Sequence, residues 1–261
     1  DPHPLRVVAP EKGVKTMTPF HEKARLMKFY SMDVVLCINF NSGFSTMEPD
    51  NFIKDVIVDR IGACEVIVGH NYAFGKGKRG TTEILRRRGK KYGFDLRVVR
   101  NARLHGEVVS SSRVRSLLSR GRVCEASRLL GRPYMIEGKV IRGAGRGAGL
   151  LNIPTANIET PNELVPKEGV YAVKAGLGGK VFDGVANIGK NPTFGENKTS
   201  YEIHIFDFSE NIFGKDLKVF FIDRLRDEKR FPDINALHES IMRDIGRAGD
   251  ILNRGKYPKL I

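Results

Sequence analysis

The spacing of apolar residues along the chain changes at Gly131-Arg132-Pro133, and this change limits the architectures that the chain can adopt. Before this point, segments with helical apolar spacing alternate with short strand-like runs, which predicts a parallel α/β sheet. After it, short β-rich runs continue to Asp223, separated by glycine, proline and asparagine, and this pattern predicts a small antiparallel barrel. We therefore predict two domains, residues 1–131 and 132–261.

Apolar periodicity places the individual elements. In the first domain we predict helices at 19–30, 49–61 and 81–92, two short helices within 110–130, and strands at 33–40, 65–69 and 95–100. The runs 33–40 and 65–69 are almost continuously apolar, which indicates strands covered on both faces. A final amphipathic helix is predicted at 233–252. Its apolar face carries five residues: Ile234, Leu237, Ile241, Ile245 and Ala248.

The net charge of +14 falls mostly on the first domain. Such an excess suits nucleic acid, a nucleotide polyphosphate or a plain solvated basic surface. A nucleic-acid-binding protein would also present exposed aromatic side chains for base stacking. The chain has no tryptophan, and the Phe and Tyr residues of its first domain mostly fall on predicted core positions. Nucleic-acid binding is therefore retained only as the alternative function.

Three cysteines, Cys37, Cys64 and Cys124, are far apart and form no CxxC pair. This spacing predicts reduced thiols rather than disulfides or a zinc site. No run is long and apolar enough to cross a bilayer, and no signal-peptide pattern opens the chain. We predict a cytoplasmic protein with no membrane partner, and the sequence leaves its oligomeric state open.

A glycine-rich basic loop follows the strand predicted at 65–69. Gly75, Gly77 and Gly80 match the spacing GxGxxG, but five residues separate the strand from the first of them. The dinucleotide-binding fingerprint requires these glycines at the strand end, opening a helix, so we do not assign it here. The cations at positions 76, 78 and 79 still suit a phosphate group.

A serine-rich segment, Ser110 to Arg115, begins the two predicted short helices. Amides, hydroxyls and guanidinium groups at a helix N-terminus favour an anion. The alternative is ordinary N-capping by serine with exposed arginines.

Two further segments, both in the predicted barrel, carry candidate chemistry. A glycine-rich stretch at 143–149 precedes Pro154-Thr155-Ala156-Asn157, whose Thr and Asn side chains would share one face if extended and offer oxygens to Mg²⁺. A simple turn is the alternative. In the run 200–207, strand alternation places Glu202 and His204 on one face. Glu202 is either a general base or a surface carboxylate, and His204 is the rival base.

Six segments in the second domain occur together and in order: PTAN (154–157), EGVY (168–171), GVANIGKNPTF (184–194), YEIHIFDF (201–208), FGKDL (213–217) and LRDEKRF (225–231). In the first domain, DPHP (1–4), GHNYAFGKGKRG (69–80) and VSSSRVR (109–115) accompany them. With these segments the chain resembles the bacterial bifunctional riboflavin kinase/FAD synthetase family over essentially its whole length. One departure is the loop before Pro154, where the family commonly reads GR-x-LGFPTAN.

The resemblance implies a Rossmann-like nucleotidyltransferase domain whose first strand is missing here, followed by a six-stranded antiparallel barrel with a C-terminal helix. It implies that the substrates are ATP and riboflavin or FMN, with Mg²⁺. It also implies the roles of individual residues. Thr155 and Asn157 would position Mg²⁺-ATP with Gly145 and Gly147, Glu202 would be the catalytic base, Arg226 and Phe231 would bind flavin, and Asn71, Ser111, Ser112 and Arg115 would contact nucleotide in the first domain.

The family's HxGH phosphate loop occurs nowhere in this sequence, and the chain opens at Asp1 without a methionine. In the family that loop lies upstream of the DPHP segment. We therefore expect that an N-terminal piece is missing from this chain; the alternative is a chain that has lost its adenylylation activity. We also expect that residues 1–261 alone do not make FAD efficiently.

Overall fold

A computed structural model of the protein describes residues 1–143, 153–190 and 199–260. Its packing divides the chain into two compact units. The first unit comprises Asp1–Thr16 and Tyr30–Val109, and the second comprises Met17–Phe29 and Ser110–Ile261.

The helices are α1 (Pro4–Val8), α2 (Phe20–Phe29), α3 (Ser42–Ser45), α4 (Pro49–Asn51, continued by a π-helical turn over Phe52–Val58), α5 (Thr82–Tyr92), α6 (Ser111–Ser119), α7 (Val123–Leu130) and α8 (Ile234–Asn253). The strands are β1 (Glu65–Gly69), β2 (Asp95–Val99), β3 (Arg103–Leu104), β4 (Glu107–Val108), β5 (Tyr134–Ile141), β6 (Ala156–Glu159), β7 (Gly169–Leu177), β8 (Lys180–Lys190), β9 (Thr199–Ile205) and β10 (Asp216–Arg226).

The first unit contains the predicted parallel sheet. Strands β1 and β2 pair in parallel, and α5 connects them. The Thr81 side chain accepts a hydrogen bond from the amide of Ile84, and Gly93, with φ of 81°, ends the helix in a left-handed conformation. These are the cap residues expected at the two ends of a helix. The core of this unit is formed by Ile53, Ile57, Phe74, Leu85 and Phe94.

The predicted strand at 33–40 is wrong, because the structure has no strand there and Val34 is 84% exposed. An apolar run favours extended backbone, but a strand also needs a neighbour that satisfies its amides and carbonyls. No described segment forms a ladder with 33–40. Strand β1 is confirmed as a strand, yet its residues alternate in burial and Ile67 is exposed, so it is not covered on both faces.

The second unit contains the predicted antiparallel barrel, closed by six strands in the order β10-β5-β6-β9-β8-β7. Every strand contributes buried side chains to one interior cluster, among them Ile136, Ile158, Tyr171, Ile188, Ile203 and Phe221. Neighbouring residues on each strand face the other way. The predicted barrel with a C-terminal helix is confirmed.

Helices α6 and α7 belong to the second unit because their apolar side chains join the barrel core. Val114, Leu117, Leu118, Val123 and Ala126 are buried in the same cluster as the barrel interior. The packing boundary therefore follows Val109, although the predicted domains divide at residue 131. Where the two functional domains divide stays a prediction.

Helix α8 packs on the outer face of β7, β8 and β10. Ala248 and Leu252 are buried there against Val170, Val185 and Ile222. Only part of the predicted apolar face is correct, because Ile234 in the first turn is 46% exposed. Ser240 and Asp244 are buried on this side instead, since α8 meets polar groups of the barrel as well as apolar ones.

Candidate active site

A row of side chains crosses the outer face of the barrel at one level. Asn157 on β6 pairs in register with Glu202 on β9, and Glu202 pairs with Asn187 on β8. Asn187 pairs with Val170 on β7, and Val170 pairs with Arg226 on β10. Register partners in antiparallel strands project to the same face. Two predicted site residues, Asn157 and Glu202, are therefore direct neighbours, and a third lies farther along the row.

Strand alternation explains why these polar residues face outward. Ile158, Ile203 and Ile188 point into the barrel interior, so the preceding residues Asn157, Glu202 and Asn187 point away from it.

The two residues predicted to position Mg²⁺-ATP lie at the start of β6. Asn157 is buried, and its amide lies so close over Gly143 that a Cβ at position 143 would come within 2.0 Å of the Asn157 Nδ2. Thr155 lines a cavity of about 340 Å³ together with Ile141, Pro154 and Phe213. The predicted Gly145 and Gly147 lie outside the described residues.

The oxygens of Thr155 and Asn157 fit a hard cation such as Mg²⁺, which prefers oxygen ligands and usually shares them with substrate phosphates. The described residues contain no cluster of three or more His, Cys, Asp or Glu that could hold a metal ion. The neutral donors therefore suit a cation that arrives already bound to a polyphosphate.

His204, the rival base, is engaged with backbone. Its Nδ1 lies 2.9 Å from the carbonyl oxygen of Pro154, which accepts a hydrogen bond only if Nδ1 carries the proton. Unlike Glu202, His204 pairs in register with Val185 rather than with a polar residue. The histidine thus ties β9 to the segment that carries Thr155.

Two polar residues that the sequence analysis did not single out, Asn187 and Glu228, join the row. The Asn187 Nδ2 donates to the Glu228 Oε1 at 3.3 Å. Both residues lie in segments that carried the family resemblance, GVANIGKNPTF and LRDEKRF. Alternation along β8 could have placed Asn187 outside the barrel, but only the tertiary structure brings Glu228 over it.

Arg226, predicted to bind flavin, is held by α8. Its Nε and Nη2 donate to the carboxylate of Asp244, and its Nη1 donates to the carbonyl of Asp227 at 3.0 Å. The guanidinium carbon lies 5.6 Å from the ring centroid of Phe231, the other predicted flavin residue. The structure therefore brings these two residues together, with the arginine fixed in place by protein groups.

A second ion cluster supports the segment that follows β10. The Asp227 Oδ1 accepts from the Lys167 Nζ at 2.9 Å and from the Arg224 Nη2 at 2.8 Å. Hydrogen bonds from Arg224 and then Lys167 hold the pKa of this carboxyl well below its usual range. Arg224 also donates to the hydroxyl of Tyr171 and to the carbonyl of Glu168. This cluster joins the EGVY and LRDEKRF segments.

In the first unit, the predicted Asn71 is exposed in a turn directly after β1. The basic loop that follows is closed by a bridge between Phe74 and Gly80. Gly75 and Gly77 have φ of 68° and 60° around a short 3₁₀ turn rather than at the start of an α-helix. The glycines therefore do not open an α-helix, as a dinucleotide-binding fingerprint requires.

The serine-rich segment belongs to the second unit. Ser110 is the N-cap of α6, and its hydroxyl accepts from the amide of Arg113 at 3.3 Å. Ser111 and Ser112 occupy the first helical positions and are exposed, while Arg115 is half-buried one turn on. The alternative interpretation, N-capping by serine, is confirmed for Ser110. An anion site at this helix N-terminus stays a prediction.

Family models match both halves of the chain. A riboflavin kinase model matches residues 130–252, and an FAD synthetase model matches residues 1–113. The first range contains the whole polar row.

Curated relatives match along almost the whole chain. The "Bifunctional riboflavin kinase/FMN adenylyltransferase" of Escherichia coli (strain K12) is 34% identical over 245 residues, which is 94% of this chain and 78% of the relative. The protein of the same description from Pseudomonas fluorescens is 33% identical over 249 residues, covering 95% and 79%.

A solved structure is also similar. It is a Streptococcus pneumoniae protein described as a macrolide-efflux protein, with a TM-score of 0.81 and 28% identity over 89% of this chain and 75% of that one. With the relatives above, these comparisons show that the chain belongs to the bifunctional riboflavin kinase/FMN adenylyltransferase family.

Proposed function

We propose that the barrel unit is a riboflavin kinase that transfers the γ-phosphoryl group of ATP to the 5′-hydroxyl of riboflavin. The observation that carries this proposal is the register pairing of Asn157 with Glu202. It sets a residue suited to Mg²⁺-ATP beside a carboxylate suited to act as a general base. Arg226 and Phe231, at the other end of the row, supply a planar cation and a ring where the flavin would lie.

In this mechanism Glu202 accepts the proton of the 5′-hydroxyl as its oxygen attacks the γ-phosphorus. A bond forms between that oxygen and phosphorus, and the bond to the β–γ bridging oxygen breaks, so that ADP and FMN are released. Thr155 and Asn157 would hold the Mg²⁺ that accompanies the polyphosphate. Mg²⁺, when bound, offsets negative charge on the phosphates.

For the first predicted domain, residues 1–131, we propose the second activity of the family, transfer of AMP from ATP to FMN with release of pyrophosphate. Asn71, Ser111, Ser112 and Arg115 are proposed as nucleotide contacts. Exposed hydroxyls at the start of α6 are compatible with phosphate binding. The expectation that residues 1–261 make little FAD stays a prediction.

The alternative function, nucleic-acid binding, receives no support from the family models or the relatives, which all describe flavin enzymes. Among the helices of the described ranges, none combines the length and apolar character that a membrane span requires. The cytoplasmic location stays a prediction.

The deciding experiment is incubation of the purified chain with riboflavin and Mg²⁺-ATP, followed by chromatography of the flavins. FMN is expected from the wild type, and Glu202→Gln should lose about 100-fold or more in kcat because it cannot accept the proton. Riboflavin binding and the melting temperature should stay close to wild type. No FMN from the folded wild type would refute the kinase proposal, and FAD following FMN would refute the expectation for the first unit.

A further inference from the structure

The carbonyl oxygen of the Asn187 side chain is buried without a hydrogen-bond partner among the described residues. The orientation of this amide is settled by chemistry, because its other end contacts the carboxylate of Glu228 at 3.3 Å. A carboxylate accepts and does not donate, so the Nδ2 must face Glu228 and the Oδ1 must face away from it. A buried acceptor of this kind is uncommon in folded proteins and calls for an explanation.

Glu228 reaches this position because residue 189 has no side chain. A Cβ at Gly189 would lie 1.8 Å from the Glu228 Oε1. Gly189 is two residues beyond Asn187 on β8, so its missing Cβ would point to the same face. The glycine therefore lets Glu228 lie over the strand and hold the Asn187 amide in one orientation.

The position of Asn187 in the row indicates what its Oδ1 accepts. Neighbouring strands are about 4.8 Å apart, so Asn187 on β8 lies one strand from Glu202 on β9, on the side toward β7 and β10. If the 5′-hydroxyl lies at Glu202 and the flavin ring lies near Arg226 and Phe231, the ribityl chain must pass over β8. Its secondary hydroxyls are the donors that cross this position.

We propose that the Asn187 Oδ1 accepts a hydrogen bond from a secondary hydroxyl of the ribityl chain, and so sets the 5′-hydroxyl beside Glu202. This inference rests on the proposed kinase function and adds a positioning and specificity residue to it. The acceptor that lacks a partner in the free protein gains one when the polyol binds. A flavin without that hydroxyl leaves the acceptor buried and unpaired, which disfavours its binding.

The test compares riboflavin with an analogue that carries a plain 5-hydroxypentyl chain, which keeps the reacting hydroxyl and lacks the secondary ones. Kinase kcat/KM is measured for both flavins in wild type and in Asn187→Ala. In wild type, kcat/KM should be higher for riboflavin than for the analogue, and the ratio of the two values is the preference for riboflavin. Asn187→Ala should reduce this ratio by about tenfold, mainly by lowering kcat/KM for riboflavin. The KM for Mg²⁺-ATP should not change.

Gly189→Ala provides a second variant that leaves Asn187 intact. Its Cβ would displace the Glu228 carboxylate and free the amide to rotate, so a smaller loss of the same preference is expected. Asn253→Ala, at the exposed end of α8, is the matched control and should behave as wild type. Melting curves without ligand report whether each variant is folded.

An unchanged preference in folded Asn187→Ala would overturn the inference, and so would a rise in the KM for Mg²⁺-ATP alone, which would assign the residue to the nucleotide. If Asn187→Ala does not fold, an unchanged preference in Gly189→Ala overturns it. These failures are distinct from failure of the kinase proposal, in which wild type itself makes no FMN.

Discussion

Arg226 at the end of β10 and Asp244 in the middle of α8 form a bidentate ion pair. The Arg226 Nε lies 3.1 and 2.9 Å from the two carboxylate oxygens, and its Nη2 lies 2.8 Å from Oδ2. The Asp244 side chain is only 5% exposed and that of Arg226 is 20% exposed. The pair therefore fastens the C-terminal helix to the barrel strand that leads to Phe231.

Asp244→Asn should loosen this attachment. Removing one charge from a buried pair leaves the other poorly compensated, so we expect a loss of about 2–4 kcal/mol in the free energy of unfolding. The KM for riboflavin should rise because Phe231 loses its fixed neighbour, while the KM for Mg²⁺-ATP should stay near wild type. Urea unfolding and steady-state kinetics measure both effects.

Glu239→Gln is the matched control for that variant. Glu239 pairs with Arg243 on the same helix, but both side chains are exposed and their closest atoms are 3.5 Å apart. Exposed pairs contribute less than about 1 kcal/mol, so both readouts should stay near wild type. Equal losses in the two variants would contradict the role assigned to Asp244.

His204→Gln separates the two candidate bases. The His204 Nδ1 lies within hydrogen-bond distance of the carbonyl of Pro154, so the ring connects β9 to the segment before β6. We expect kcat to stay within about fivefold of wild type, whereas Glu202→Gln loses about 100-fold or more. If His204→Gln abolishes turnover and Glu202→Gln does not, the histidine is the base.

Tyr134→Phe tests a buried hydroxyl in the second unit. The Tyr134 hydroxyl lies 2.9 Å from the carbonyl of Met17 and 2.8 Å from that of Leu164. Burial raises the pKa of Tyr134 far above its usual value, so the neutral form donates to these carbonyls. In Tyr134→Phe the two carbonyls lose the one hydroxyl proton that lies between them, and we expect the free energy of unfolding to fall by about 1–3 kcal/mol. Chemical denaturation measures this, and kcat should not change.

Asp227 predicts a pH dependence of stability. Arg224 and Lys167 hold the folded-state pKa of Asp227 below its unfolded value. The stabilisation of the folded state that the ionised carboxylate contributes is therefore fully present above about pH 4. It is lost as the pH falls through the lower folded-state pKa. Urea midpoints of wild type and Asp227→Asn, compared from pH 7 to pH 2, should differ most at neutral pH, and the difference should shrink steadily as the pH falls below about 4. A constant difference across that range would contradict this linkage.

Much of the secondary structure follows from local pattern. The helices at 82–92 and 234–253 lie within one residue of their predicted bounds, and each begins after a capping residue, Thr81 or Asp233. Capping and apolar spacing act over only a few residues, so local sequence specifies them. The prediction of a strand at 33–40 was wrong because a strand depends on contacts that are not local. Its apolar run is local, but the partner that a strand requires is not.

The sequence by itself determined the barrel class, and alternation along β9 placed Glu202 and His204 on one face, since a strand has a period of two residues. Only the tertiary structure decided that Asn157, Glu202 and Asn187 are neighbours, because the register between strands depends on how the whole barrel closes. It also decided that Asp244 is buried beside Arg226 and that Glu228 lies over Gly189. These contacts join residues far apart in the chain, and no local pattern specifies them.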